Sequence, residues 1–295
     1  MSGWVAAVAR VVARTGVHRA LPARGPLIVM YHGIGGADGV SVESFGAQLE
    51  ALACRRRIVP LAELADRIGH PSAIDLAAIT FDDGYVDFAE LALPLLARAG
   101  LHATLFVPAG LVGRSNVWDA GVMEPRRILD EHGLRDLDPG HVEVGAHGFS
   151  HRRIVSLDRA ALETETLGSR RRLEAILQRS VRLFAYPYGQ RGDFDRAAER
   201  AVEAAGFELA CSTCFGRGSE RRERYRLRRV GIEPQDDLDV VAAKLDGAYD
   251  WVAWKERAGH GLRTLRGRSS GGSGRSLNGV ERAGASEADR FPGDG

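Results

Sequence analysis

The chain has 295 residues, enough for one large domain or two small ones, and 44% of them are hydrophobic, a balance typical of soluble globular proteins. The formal net charge of +1 gives no sign of a nucleic-acid partner. Three cysteines cannot form a disulfide framework and fit a reducing compartment, so we expect a cytoplasmic protein.

The sequence of residues 1–25 predicts a basic amphipathic segment. Arg10 and Arg14 interrupt its apolar part, and it lacks an early positive region, which argues against a secretory signal peptide. A basic amphipathic helix over residues 1–20 can make a peripheral membrane contact or can pack on the body of the protein. The sequence leaves both alternatives open, so the expected location is cytoplasmic with membrane association as one option.

From about residue 26 onwards, short apolar runs alternate with segments of helical spacing. The predicted strands are PLIVMYH, RIVP, LAAITF, HATLFV, HVEVG, VRLFAY, FELAC and YRLRRVGI. The predicted helices between and after them are VESFGAQLEALACRR, LAELADRIG, DFAELALPLLARAG, LDRAALETETLGSRRRLEAIL, DFDRAAERAVEAAG and DDLDVVAAKLDG. This alternation predicts an α/β fold with a largely parallel sheet, open or closed into a barrel.

Two details of these elements are also predictions. Asp87 suits the N-cap of the third helix, with Glu90 completing a capping box, and Pro94 should kink that helix. Cys211 and Cys214 form a lone C-x-x-C in an apolar segment, which favours buried structural cysteines over a redox or zinc site.

The composition changes after about residue 256. RGRSSGGSGRSLNG is rich in glycine, serine and arginine and has too little apolar content to bury a core. The predicted organisation is therefore a segment at 1–25, a single domain at 26–255 and a disordered tail at 256–295.

Polar side chains with catalytic potential follow four of the predicted strands. LIVMYH ends on His32, LAAITF runs into Asp82 and Asp83, HVEVG leads to His147 and His151, and VRLFAY runs into Pro187, Tyr188 and Gly189. In parallel α/β folds the active site assembles at the C-terminal ends of the strands, so these groups should meet.

The residue types indicate a metal. On a helical turn, the four-residue spacing of His147 and His151 would place both rings on one face. Two imidazoles and one carboxylate leave a coordination position open, which is typical of catalytic zinc. Neighbouring side chains at a strand end point to different sides, so one of Asp82 and Asp83 can ligate the metal while the other acts as a general base.

The ordered motifs TFDDGY, GAHGFSH and FAYPYG resemble those of the polysaccharide deacetylases, the NodB-homology family of carbohydrate esterases. The resemblance covers roughly residues 26–235 and implies a distorted (β/α)7 barrel. It implies a divalent metal, with Zn²⁺ favoured, bound by Asp83, His147 and His151. It also implies that Asp82 is the general base and that the Tyr188 N–H is an oxyanion donor.

Two departures from the family pattern affect the expected chemistry. The third-motif arginine that orients the base in much of the family is replaced by Ala185, and the usual late acid histidine is missing, since His260 lies in the tail-like end. A branch of the family with an upstream MYH motif carries its acid histidine there, which implies His32 as the general acid.

The implied function is removal of acetyl groups from an N-acetylated sugar in a glycan or a lipid-linked or nucleotide-linked precursor. Two alternatives stay open: hydrolysis of a non-sugar amide at the same site, and a metal-binding or glycan-binding module that has lost catalysis. The sequence does not define the sugar, the metal or the oligomeric state.

Overall fold

A computed structural model describes residues 25–119, 124–217 and 220–251. All of these residues belong to the unit Met1–Lys255. The predicted tail and nearly all of the predicted N-terminal segment therefore lie outside the described residues. Within the described ranges, no helix is long and apolar enough to cross a membrane.

The described strands form one parallel sheet. They are β1 Leu27–Tyr31, β2 Arg57–Ile58, β3 Leu76–Phe81, β4 Ala103–Val107, β5 Val142–Ala146, β6 Leu183–Ala185, β7 Leu209–Phe215 and β8 Leu227–Gly231. Seven of them close in the order β1-β8-β7-β6-β5-β4-β3, because β1 also pairs with β3 from Leu27↔Ala77 to Tyr31↔Phe81. The short β2 pairs with the start of β3. The structure thus confirms the predicted (β/α)7 barrel.

Helices connect consecutive strands, as the alternating pattern predicted. In the described ranges the α-helices are α1 Val42–Ala53, α2 Leu61–Asp66, α3 Leu93–Arg98, α4 Glu131–Arg135, α5 Arg159–Glu163, α6 Ser169–Leu177, α7 Arg196–Ala204 and α8 Leu238–Asp246. Short 3₁₀ turns occur at Pro71–Ala73, Ala109–Leu111 and Arg221–Arg226.

Two π-helical segments interrupt the helical connections. Phe88–Ala92 runs directly into α3, and Pro94 is the second residue of α3, immediately after this π-helical segment. Thr164–Gly168 joins α5 to α6. Isolated π turns are frequent at functional sites, and the second of these carries a site residue described below.

The barrel interior changes from apolar to polar along its length. Alternate strand residues such as Ala78, Leu183 and Leu227 form one buried cluster with the apolar side of α2, which therefore covers the N-terminal end of the barrel. Further along β3 and β8, the same alternation brings Thr80 and Arg229 to the interior, both almost fully buried. Toward the C-terminal end of the strands, the barrel interior is therefore lined by polar side chains.

Candidate active site

The aspartate pair lies at a sharp turn after β3. The Asp82 N–H still donates to the Tyr31 carbonyl (3.0 Å), so this residue continues the sheet, whereas Asp83 and Gly84 adopt φ angles of +70° and +67°. A Cβ on Gly84 would lie 3.0 Å from the Val107 side chain, in a conformation that favours glycine. The turn sends the two carboxylates in different directions.

Asp82 is bound by a buried arginine from β8, which is separated from β3 by β1 in the closed sheet. Arg229 in β8 donates two hydrogen bonds of 2.7 Å, one to each carboxylate oxygen of Asp82, and a third of 2.9 Å to the Ser212 carbonyl. Burial alone would raise the pKa of the Asp82 carboxyl, but the Arg229 guanidinium outweighs burial and holds that pKa below its usual value. Asp82 is therefore an ionised carboxylate whose orientation is fixed by Arg229.

Arg229 changes the interpretation of Ala185. The sequence indicated that Ala185 replaces the arginine that orients the base, which suggested loss of that contact. In the structure Ala185 is buried in β6, and Arg229 provides the guanidinium from β8 instead. The two opposite charges compensate each other in this buried position, where an unpaired charge of either sign would be unfavourable.

His147 follows β5 and has a defined orientation. Its N–H donates to the Val107 carbonyl (2.9 Å), and its ring Nδ1 lies 2.9 Å from the Ala185 carbonyl, which places the proton on Nδ1. Nε2 is then the atom with the free lone pair. Burial lowers the pKa of His147 to about 4, so the ring is neutral near pH 7, as a metal ligand requires.

His151 approaches His147 through a loop, and the predicted helical turn is absent. Gly148 and His151 have φ angles of +71° and +55°, which fold the chain back within four residues. The two rings nevertheless lie with centroids 5.0 Å apart. The two rings therefore lie close together, as the spacing predicted, but a loop and not a helical turn brings them there.

Asp83 and the two histidines form a compact set of donor atoms. Asp83 Oδ1 lies 3.2 Å from His151 Nε2 and 3.5 Å from His147 Nε2, and one ligand atom from each residue falls within 4.8 Å of the others. All three side chains are buried, yet Asp83 Oδ1 has no hydrogen-bond partner in the described part of the chain. An uncompensated buried carboxylate oxygen facing two imidazole nitrogens fits a divalent cation.

Glu165, which the sequence analysis did not identify, anchors the loop between the two histidines. It lies in the Thr164–Gly168 π segment and is 2% exposed. Its Oε2 accepts the N–H groups of Phe149 (2.7 Å) and Ser150 (3.1 Å), and its Oε1 accepts the Ser150 hydroxyl. The π turn therefore brings an acceptor to a loop whose N–H groups have no strand partner.

His32 lies at the end of β1 and is exposed. It opens onto a cleft of about 200 Å³ beside the donor set. The charged and polar side chains lining this cleft are His32, Asp38, Asp83, Tyr85, Asp119, Arg126 and Glu233. The structure thus brings His32 and Asp83 to one cleft, which is the arrangement that a general acid beside the metal would need.

Asp87 does not cap the helix that follows it, contrary to the prediction. Its own backbone is helical, and its Oδ1 accepts the Ile34 N–H (3.1 Å) while its Oδ2 pairs with Arg126. The Arg126 guanidinium also lies 4.4 Å from the Tyr85 ring centroid. Asp87 therefore ties the loop after His32 to the wall of the cleft, a tertiary contact that outweighs local capping.

Tyr188 follows β6 with a φ angle of +59°. Its ring centroid lies 5.1 Å from that of His151, and the Arg153 guanidinium lies 4.1 Å from the Tyr188 ring. Its carbonyl accepts the Thr213 hydroxyl (2.6 Å), whereas its N–H makes no hydrogen bond within the described ranges. Tyr188 thus lies beside the donor set with an N–H that is available.

Cys211 and Cys214 are both buried and unoxidised within β7. Burial raises the pKa of the Cys211 thiol to about 12. These properties agree with the structural interpretation of the C-x-x-C.

The chain resembles known deacetylases in sequence and in fold. The profile of the polysaccharide deacetylase family matches residues 70–210. YxkH of Bacillus subtilis (strain 168), provisionally named a polysaccharide deacetylase, is 24% identical over 156 residues, which are 53% of this chain and 51% of YxkH. The chain thus spans about half the length of this curated relative.

Solved deacetylase structures share the barrel. The deacetylase PplD of Streptococcus pyogenes superposes with a TM-score of 0.63 at 20% identity, covering 75% of this chain and 98% of PplD. IcaB from Ammonifex degensii gives a TM-score of 0.63 at 24% identity, covering 75% of this chain and 97% of IcaB. At these identities the likeness concerns the fold. The matched profile identifies a polysaccharide deacetylase domain at residues 70–210, and the barrel that contains it is shared with these solved structures.

Proposed function

We propose that this protein is a metal-dependent N-deacetylase that removes acetyl groups from an amino sugar in a glycan or glycan precursor. The observation that carries the proposal is the convergence of Asp83, His147 and His151 beside the Asp82–Arg229 pair. The matched polysaccharide deacetylase profile supports the reaction class, and so do the provisional name of YxkH and the description of PplD as a deacetylase.

Asp83, His147 and His151 would hold the metal, with Zn²⁺ favoured by ligand type, although other divalent ions accept the same set. A divalent ion in this position supplies Lewis-acid chemistry, polarising the amide carbonyl and lowering the pKa of water. The protein's part is to keep the His147 ring neutral, and burial of that ring does so by lowering its pKa.

Asp82 accepts the proton of the attacking water as the water oxygen bonds to the acetyl carbon. The pKa of Asp82 is held low, so its carboxylate is ionised and can accept a proton. The two hydrogen bonds from Arg229 keep this carboxylate from rotating toward the metal ligands. The Tyr188 N–H donates to the oxygen that becomes negative when the carbonyl is attacked.

His32 donates a proton to the sugar nitrogen as the C–N bond breaks, which releases an amine and acetate. An amine leaves poorly as an anion, so this proton is required. The exposure of His32 on the cleft suits a group that must meet the leaving side of the substrate.

The charge of the cleft favours a glycan over a phosphate-linked sugar. Asp38, Asp119 and Glu233 line it, while Arg126 is paired with Asp87. Phosphates close to the reacting sugar would lie near these three carboxylates, which opposes their binding. We therefore expect the part of the substrate next to the acetamide to be neutral or cationic.

Arg229 also bears on the alternative of a non-catalytic module. The feature favouring that alternative was the arginine missing at Ala185, and Arg229 now binds the proposed base. No contact in the described ranges favours a non-sugar amide.

The test is incubation with N-acetylated oligosaccharides, followed by mass spectrometry for loss of one acetyl group. We expect loss with added Zn²⁺ and none with excess chelator or with Asp83→Ala. UDP-N-acetylglucosamine and non-sugar acetamides serve as comparison substrates. Acetyl release that is unchanged by chelator would contradict the metal, and release only from non-sugar amides would contradict the substrate class.

A further inference from the structure

His151 differs from His147 in how its ring is held. Metal-bound histidines almost always donate their second ring N–H to a carboxylate, a carbonyl or water, which fixes the ring and strengthens the ligand. His147 follows this rule through Ala185. His151 Nδ1 is buried and has no hydrogen-bond partner in the described part of the chain.

Aromatic rings surround His151 where that hydrogen bond is missing. The Trp118 ring stacks on it with centroids 3.7 Å apart and an interplanar angle of 24°. Tyr188 and His147 lie at 5.1 Å and 5.0 Å with tilted rings. Trp118 is therefore the ring that lies flat on the imidazole, which restricts its tilt.

Tertiary contacts also fix the loop that carries Trp118. The Asn116 side chain accepts the Arg126 N–H (2.6 Å) and donates to Asp119 (3.0 Å), so the residues on both sides of Trp118 are held. The Ser115↔Arg127 bridge adds a backbone link. A stacking ring on a tethered loop can hold its partner in place.

We propose that Trp118 is a positioning residue for the metal site, whose indole holds the His151 ring in the ligating orientation in place of the usual hydrogen bond. The proposal rests on the metal site of the proposed function. It also means that the indole face turned to His151 is occupied and is not available to stack on a sugar.

The experiment measures metal affinity directly, by competition for Zn²⁺ with a chromophoric chelator, in wild type, Trp118→Phe and Trp118→Leu. Loss of an outer-shell partner typically weakens metal binding ~10–100-fold, and we expect a loss of this size for Trp118→Leu. Trp118→Phe keeps a stacking ring, so its affinity should stay within about threefold of wild type. Val117→Ala is the matched control, because Val117 is its neighbour and 62% exposed.

Leucine fills apolar space about as well as phenylalanine, so a role in loop packing alone would affect both variants alike. Equal affinities of Trp118→Phe and Trp118→Leu would overturn the proposal. The absorption of bound Co²⁺ gives a second readout, since a reoriented His151 changes the ligand field, and identical spectra would also contradict it. If wild type binds no divalent ion, the proposed function itself fails, which is a distinguishable result.

Discussion

Arg229 and Asp82 lie 147 positions apart in the sequence and share two parallel hydrogen bonds of 2.7 Å inside the barrel. Both side chains are almost completely buried, at 0% and 1% exposed. The pair therefore joins the last strand of the barrel to the candidate base, so the proposed catalysis and the stability of the barrel should depend on the same contact.

Arg229→Met should destabilise the fold by about 3–5 kcal/mol, because it leaves the Asp82 carboxylate buried and unpaired. The double variant with Asp82→Asn should lose less than the sum of the single losses, since the charge is then removed as well. Urea unfolding measures all three. Strictly additive losses would show that the two side chains are not coupled. Arg228→Met, the same substitution on the opposite face of β8, is the control and should keep turnover.

The two aspartates should separate metal binding from chemistry. Asp83→Ala should lose the metal together with activity, because this carboxylate faces both histidines. Asp82→Asn should keep the metal and lose activity, because its carboxylate is bound to Arg229. Metal content by atomic emission and acetate release are the two measurements. An Asp82→Asn protein as empty as Asp83→Ala would disprove this division of roles.

His32→Ala should slow amide hydrolysis by ~10²–10⁴-fold, the typical contribution of a positioned general acid. Metal content should stay unchanged, because His32 lies on the cleft outside the donor set. An activated ester needs little protonation of its leaving group, so its hydrolysis should fall far less. Equal losses on amide and ester, or loss of the metal, would show that His32 is not the acid.

Glu165→Ala should weaken metal binding by at least about tenfold, by the same reasoning that applies to other supporting groups of a metal site. The Phe149 and Ser150 N–H groups lose their acceptor, and the loop to His151 is released. Glu165→Gln keeps an acceptor oxygen and should be milder. Titration with Zn²⁺ checks both variants, and equal affinities for wild type and Glu165→Ala would contradict the anchoring role.

Removal of residues 260–295 should leave folding and turnover intact, because the Gly/Ser-rich composition cannot bury apolar area. Thermal unfolding and acetate release of the truncated protein test this. A large loss of turnover would show that His260 or its surroundings take part in the reaction.

The alternating pattern predicted a largely parallel α/β sheet, and the family resemblance implied its closure into a seven-stranded barrel. Apolar runs of strand length define the sheet, and parallel strands place their C-terminal ends at one edge, so His32, Asp83 and His147 had to meet there. The histidine pair was found from its spacing.

Arg229 could not be assigned in this way, because its partner depends on how the barrel closes. One signal was present: two adjacent arginines in a short strand that is buried on both faces, where a guanidinium requires a carboxylate. The loop conformation at His151 and the tertiary contact of Asp87 were also unpredictable, because surrounding packing imposes each against local preference.

Asp83, His151 and Tyr188 all adopt left-handed backbone angles, of +70°, +55° and +59°. Such angles cost a non-glycine residue of order 1 kcal/mol or more each. At Asp83 this cost adds to that of an unpaired buried carboxylate oxygen, so Asp83→Gly should stabilise the metal-free protein while removing a metal ligand. Directed evolution for heat resistance alone would favour this substitution, so a selection on this barrel must include turnover or metal binding to avoid enriching inactive, robust variants.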